Sequence, residues 1–468
     1  MQPTIHFYDA QCIGTPAHGQ VVAFDSILCG SQESVRFMSS ISLRPDVSFN
    51  PLSVEASDTF DLDLSSGVTE YEWSRKAQDL FARPGTLHVG LGNTSSIDHF
   101  IRYALYRCLS ALPNTELSTG AHYLDLLTIC RAISLLRPES LPVALMPEWT
   151  EQRKRNFVMA QWGGESRAEV VSSLAKLLSN ANPKLMAHAI SHSSPRPITD
   201  LCGLVDGRLE GLDSLRPVFV CHESLMVEKK HGVFLALGTD PQYKNILYLI
   251  DLESDLRALV DDAGVSVSRF IRTEQSQADR PVLRVNLNRI PFVGPASVID
   301  AATALRLGID MQLVRDNASL LRAQPDVCLS LMEVSGASEA AANGDADFQL
   351  YGAEYLAPDM ALLARLHEKC PSEWSALLDT AHDARITELG MRLIRRFDPA
   401  LLSDSDAKSW HAHCASRLLG RSDPARFADI KVYCENIAGS HEYPKGMRTA
   451  AQHWLHTTEN GNEPRSNI

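Results

Sequence analysis

The chain has 468 residues, of which 44% are hydrophobic and 22% charged, and its net charge is −13. That length exceeds a single hydrophobic core and suits two or three domains of ordinary globular composition. The acidic balance disfavours sequence-blind clamping of nucleic acid by a broad basic surface, while remaining compatible with a local basic groove. No apolar run approaches the roughly 18 residues that a membrane span needs, and Met1-Gln2-Pro3-Thr4 opens neither a basic nor an apolar leader segment. A cytoplasmic protein without a membrane partner is expected. Ten cysteines, from Cys12 to Cys434, form no CxxC pair and no Cys/His spacing suited to zinc, so free and mostly buried thiols are expected.

In chain order, Ile5 to Asp9 alternates like a strand, Val21 to Cys29 reads as a second strand and Glu33 to Leu43 as a third. A helical stretch precedes the strand Leu87-His88-Val89-Gly90. Beyond it a helix carries an apolar stripe at Ile97, Ile101, Leu105 and Cys108, with Ser95 or Ser96 available as its cap. Further helices are expected over Tyr123–Leu136 and Ser166–Ser179, which together suit a ribonuclease-H-like α/β sheet. Between about Arg216 and Asn288 the pattern becomes short strands: Pro217–His222, Gly232–Gly238, Asn245–Asp251 and Pro281–Asn288. Gly, Pro, Asp and Asn turn signals separate them, and four or five such strands suggest a small SH3-like barrel. Ser335–Asp345 is small and polar, as a linker would be. The remainder reads as helices, around Pro358–Cys370, Ala384–Phe397, Asp404–Leu419 and Pro424–Ile437, followed by ten polar residues expected to be disordered.

The run Val282–Val327 (VLRVNLNRIPFVGPASVIDAATALRLGIDMQLVRDNASLLRAQPDV) resembles the corresponding stretch of bacterial exonuclease I. That family degrades single-stranded DNA from its 3′ end. Five further blocks are similar to it in the same order: Phe7–Thr15, Leu126–Glu139, Ala175–Met186, Asp345–Tyr351 and Arg385–Phe397. The resemblance implies three parts: a ribonuclease-H-like exonuclease domain of the DEDD type over 1–187, an SH3-like domain over 188–334, and a helical C-terminal domain over 345–458 that closes a channel around single-stranded DNA.

Enzymes of this kind hold two divalent metals with four carboxylates and use a histidine as general base, so each lost oxygen ligand weakens the site. The first motif, Asp-x-Glu, places two carboxylates on one face of a strand. Here it reads Asp9-Ala10-Gln11, with a neutral amide in place of the second acid. The position of the second motif's aspartate is Ile97. Asp98 is adjacent, but one helix position turns a side chain by about 100°, and a solvated first-turn acid accounts for it. The histidine and aspartate of the third motif fall on Trp162 and Arg167. A two-residue slip would bring in Glu169, although Ser166-Arg167-Ala168-Glu169 is itself a capping-box pattern. With Gln11, Ile97, Trp162 and Arg167 at motif positions, Asp9 is the one retained ligand and Arg167 is expected to pair with it.

The family also docks the acidic tail of single-stranded-DNA-binding protein, and Arg137, Arg216 and Arg322 fall on its basic positions. Departures are His188 for tyrosine, Asp300 for arginine and Pro295 for glutamine, with Asp300 expected to place an acid inside an acid-binding pocket. The expected function is that of an inactive exonuclease I-like protein of DNA metabolism, needing no cofactor, that binds single-stranded DNA or a protein partner. One alternative is an active magnesium-dependent 3′-to-5′ exonuclease with ligands drawn from Asp9, Asp98, Glu165 and Glu169. The other is an assembly subunit that no longer binds DNA.

Overall fold

The computed structural model describes residues 4–30, 34–47, 62–110, 122–140, 166–209, 211, 214–223, 225, 229–240, 243–257, 271, 280–324, 344–352, 354–399, 402–419 and 424–461. They fall into two compact units, one formed by 1–84, 96–121 and 339–468, the other by 85–95 and 122–338. Among the described residues, no helix is long and apolar enough to cross a membrane. Trp162, Glu165 and most of the expected linker lie outside the described residues.

The first unit begins with an antiparallel meander of β1 (Thr4–Ile13), β2 (Gln20–Cys29) and β3 (Ser34–Ser40). Its register sets Asp9 opposite Asp25, and Asp25 opposite Met38. Strand alternation sends His6, Tyr8 and Ala10 to one face and Phe7, Asp9 and Gln11 to the other. The first face meets the helix Glu70–Phe81: Phe81 packs edge-on to Tyr8 at 5.1 Å and Trp73 lies 5.5 Å from Phe24. Thr69 and Glu72 close a reciprocal capping box at that helix's start.

The expected apolar stripe of the helix Asp98–Arg107 is buried at Ile97, Ile101, Leu105 and Cys108. Neither expected serine takes its cap position. The chain enters through a π-helical turn, Asn93–Ile97, and Ile97 takes the cap position without a side-chain bond.

The C-terminal helices Ala357–Leu366, Ala384–Phe397, Asp404–Leu419 and Pro424–Gly439 follow the sequence expectation closely. Asp383 caps the second of them by accepting the Arg385 N–H. A further helix, Lys445–Gly461, was not anticipated and takes in the start of the tail expected to be disordered. Its Trp454 and Met447 bury themselves with Ile13 and Val22 of the meander, and that burial stabilises a segment whose own sequence is largely polar. Asp345, expected to end a linker, instead caps a short 3-10 turn and receives Arg392 and Arg417.

The second unit carries the parallel pair β4 (Thr86–Gly90) and β5 (His122–Asp125), followed by helices Leu126–Leu136, Arg167–Ala181, Pro183–Ser191 and Pro195–Leu201. The expected helix from Tyr123 is thereby corrected. Residues 122–125 are extended because they pair with β4, and the helix starts where Asp125 accepts the Leu127 N–H at 2.9 Å. A seven-stranded antiparallel sheet follows, built around His231–Thr239, which pairs with three other strands. It has more strands than expected because two-residue strands at 204–205 and 208–209 form a ribbon too short to show alternation.

Candidate functional site

Asp9 lies at the middle of β1 and is fully buried, with Gln11 on the same face and 8% exposed. Register adds a carboxylate that the motifs do not contain: Asp25 of β2, directly across from Asp9 and also buried, with Arg36 Nε 3.7 Å from its Oδ1. The available signal was an acid inside the apolar run Val21–Cys29, but cross-strand pairing was needed to interpret it.

Ile97 is a core residue, 2% exposed. Asp98 is not the solvated acid that was expected. It is buried, and the Tyr8 hydroxyl donates to its Oδ1 at 2.5 Å. Tyr8 and Asp9 are consecutive in a strand, so their side chains leave β1 on opposite faces. Tyr8 belongs to the aromatic face with His6 and Phe81, and its hydroxyl holds Asp98 on that side. Asp98, the neighbour of the expected motif position Ile97, is thus bound to a residue of that face.

In the second unit, Ser166 Oγ accepts the Glu169 N–H at 3.4 Å and caps the helix Arg167–Ala181, so capping accounts for Glu169. Arg167 is the first residue of that helix and half-buried. Asp9 belongs to the first unit and Arg167 to the second.

Asp125 was also missed, although an Asp before the apolar run Leu126–Leu136 is a cap signal. It does more than cap. Its Oδ1 accepts the Gly92 N–H at 2.8 Å and its Oδ2 the Thr94 hydroxyl at 2.9 Å, which ties down the loop after β4. Gly92 takes φ of +69°, a left-handed conformation that glycine adopts without strain. Burial pushes the Asp125 carboxyl up, against the pull of those bonds. Asp125→Ala is expected to destabilise the protein by about 2–3 kcal/mol through the lost cap and the orphaned loop donors, measured by urea unfolding.

The divalent metals of exonuclease chemistry require several hard oxygen ligands converging on one point. Among the described residues, no group of three or more His, Cys, Asp or Glu side chains is placed to hold a metal ion. Asp9 beside the amide of Gln11, with Ile97 apolar and Asp98 bound to Tyr8, does not fit such a pair of ions.

A second feature lies wholly within the second unit. A cleft of about 460 Å³ is lined by Arg137, Lys184, His188, Phe292 and Pro295 among others. His188 donates from Nε2 to the Val293 carbonyl at 2.7 Å, and burial lowers its pKa, which favours the neutral ring. Of the three expected arginines only Arg137 lines the cleft. Arg322 donates to the Leu215 carbonyl at 2.8 Å, beside the exposed Arg216. Asp300 does not line it either: its carboxylate accepts the Thr303 N–H at 2.7 Å and caps the helix Ala301–Leu307. That bond holds the Asp300 carboxyl below its usual range, helped by Arg137 and Arg306.

A meander with parallel strands and helices, a small antiparallel β domain and a helical C-terminal region define an exonuclease-type architecture in three parts. Comparison with known proteins identifies which one. The chain matches the Exonuclease I SH3-like domain over residues 212–335 and the Exonuclease I C-terminal domain over residues 344–457. The chain belongs to the exonuclease I family. It is 25% identical to exodeoxyribonuclease I of Haemophilus influenzae over 373 residues, covering 75% of this chain and 76% of that protein. Identity to the Escherichia coli enzyme is 24% over 369 residues, 75% of each chain. Among solved structures, E. coli exonuclease I in complex with a dA13 oligonucleotide superposes with a TM-score of 0.79 at 20% identity, over 98% of this chain and 99% of that one. Exonuclease I from Methylocaldum szegediense does so equally, with a TM-score of 0.79 over 98% of this chain and 100% of its own.

Proposed function

We propose that this chain is a non-catalytic exonuclease I relative that binds single-stranded DNA. What supports this reading is the company of Asp9, with an amide at Gln11 on its own strand and Asp25 across from it, while Asp98 accepts from the Tyr8 hydroxyl. What remains suits holding a strand better than cutting it. The relatives solved with oligonucleotides supply the ligand class. The test is fluorescence anisotropy with an end-labelled single-stranded oligonucleotide at low and moderate salt. Binding that weakens with salt, with the oligonucleotide recovered at full length, is the expected result. Failure to bind at low salt would favour an assembly subunit that has left DNA behind.

The cleft beside Arg137 favours a second, compatible function: docking of an acidic, apolar peptide tail such as that of single-stranded-DNA-binding protein. Its apolar walls suit side chains, and Arg137 offers the planar donors that a carboxylate prefers. Asp300 lies close enough to influence Arg137 without blocking the cleft. Asp300→Arg is expected to tighten binding of such a peptide about threefold and Arg137→Ala to weaken it about tenfold. Calorimetric titration showing tight binding indifferent to both changes would move the peptide site elsewhere.

A further inference from the structure

The turn that Asp345 opens, in the first unit, sets aromatic rings where water reaches them. Its apolar residues Ala346 and Leu350 are buried in the core with Tyr106 and Trp374. Phe348 is only partly buried, and Tyr351 stays 42% exposed. The backbone between them is tied down. The Ala346 carbonyl accepts the Tyr106 hydroxyl at 2.8 Å, and the Gln349 carbonyl accepts Arg385 Nη1 at 3.2 Å and the Gly352 N–H at 3.0 Å.

The rings themselves are also held. The Tyr351 hydroxyl is hydrogen-bonded with His99 Nδ1 at 2.9 Å, and Tyr103, one turn further along the helix Asp98–Arg107, meets Tyr351 at 6.2 Å and 89°. Three positions before Tyr351, Phe348 has the exposed His18 ring 4.2 Å away and the Arg417 guanidinium at 5.2 Å. Three Cα steps of about 3.8 Å keep these two aromatic groups within about 11 Å of one another.

This arrangement fixes side chains without completing their burial. Holding a tyrosine in one rotamer removes entropy, and much of the Tyr351 ring still faces water, where a ligand can cover it. An apolar helix or a lipid tail would ask for aliphatic neighbours. Tyr351, Tyr103, His99 and His18 instead carry hydroxyls or ring nitrogens at their edges, which suits a flat ligand with a polar rim. Asp345 beside them is ion-paired with Arg392 and Arg417, so it does not repel a phosphate backbone as a bare carboxylate would. Fixed aromatic rings with cations close by are the means by which single strands are held without sequence readout.

We propose that Tyr351, braced by His99 and Tyr103, is a stacking platform for a base of a single strand, with the His18–Phe348 pair continuing the aromatic surface beside it. The ligand class rests on the single-strand reading above. The platform adds the residue on which a base lies.

Fluorescence anisotropy on the full chain tests this with two end-labelled oligonucleotides of one length, one bearing bases and one abasic throughout. Tyr351→Leu keeps apolar bulk at the turn but has no π face. It is expected to weaken the base-bearing strand about tenfold while leaving the salt slope and the abasic strand's affinity unchanged. Tyr351→Trp is expected to bind at least as tightly as the unaltered chain, and a thermal melt of each variant verifies folding. Undiminished binding of the base-bearing strand by Tyr351→Leu would overturn the platform and leave the single-strand reading standing. An equal loss on the abasic strand, or a loss in Tyr351→Trp matching that in Tyr351→Leu, would do the same by showing that the tyrosine only shapes its turn. If the unaltered chain binds neither oligonucleotide at low salt, the single-strand reading falls and the platform falls with it.

Discussion

Incubated with single-stranded DNA and magnesium or manganese, the purified protein is expected to leave the 3′ end intact. In metal-dependent hydrolysis the ions activate the water and stabilise the leaving oxygen, and each role is worth several kcal/mol. Since about 1.4 kcal/mol is a factor of ten in rate, loss of both ions removes on the order of 10³-fold or more. Asp9 stands opposite Asp25 and beside Gln11, a neutral oxygen that competes poorly with water for magnesium. Restoring one acid does not repair this. Gln11→Glu returns the first motif, yet Ile97 stays apolar and Asp98 stays with Tyr8. Release of labelled nucleotides that disappears in Asp9→Ala would establish a rearranged active centre, and the same variant excludes a contaminating nuclease.

Arg396→Ala is expected to destabilise the protein by about 3–5 kcal/mol, the range for removing one partner of a buried ion pair. Arg396 meets Asp46 at 2.5 Å and Asp347 at 3.4 Å, and Asp347 also receives Arg417 at 2.6 Å and Arg392 at 3.0 Å. Asp46 is fully buried and keeps Arg44 at 3.3 Å, so losing Arg396 removes its shortest ion pair and leaves its charge only partly compensated. Equilibrium denaturation reads the loss. A double-mutant cycle with Asp46→Ala should show coupling of about 1–3 kcal/mol, and additive losses would mean that the pair acts independently.

The same cluster sets an acid limit. Burial by itself raises the Asp46 and Asp347 carboxyls, but Arg396 with Arg44, and Arg396 with Arg417, overcome it and hold both low, Asp347 at about 2. A carboxyl depressed in the folded state contributes stability above its unfolded pKa of about 3.9 and loses it as pH falls through the folded value. Stability from this cluster is therefore steady above about pH 5 and declines between roughly pH 4 and 2. In Asp347→Asn that portion of the decline should shrink.

Much of this was legible in residue order. The helices Ala384–Phe397 and Asp404–Leu419 follow from periodicity and capping, because a helix answers to neighbours within one turn. The expectation that motif carboxylates are missing at Gln11 and Ile97 likewise rests on residue identity alone. Other features depend on partners that a local window cannot contain. Residues 122–125 form a strand only because β4 lies alongside, and Lys445–Gly461 is stabilised by burying Trp454 with Ile13 and Val22. Asp25 gains its place by strand register, and Asp98 its burial from a tyrosine 90 positions away. Arg396 and Asp46 meet across 350 positions. A buried charge is tolerable only where another chain segment supplies its counterion. Residue order shows that the charge is there, and the tertiary fold decides whether it is a liability, a clasp or a ligand.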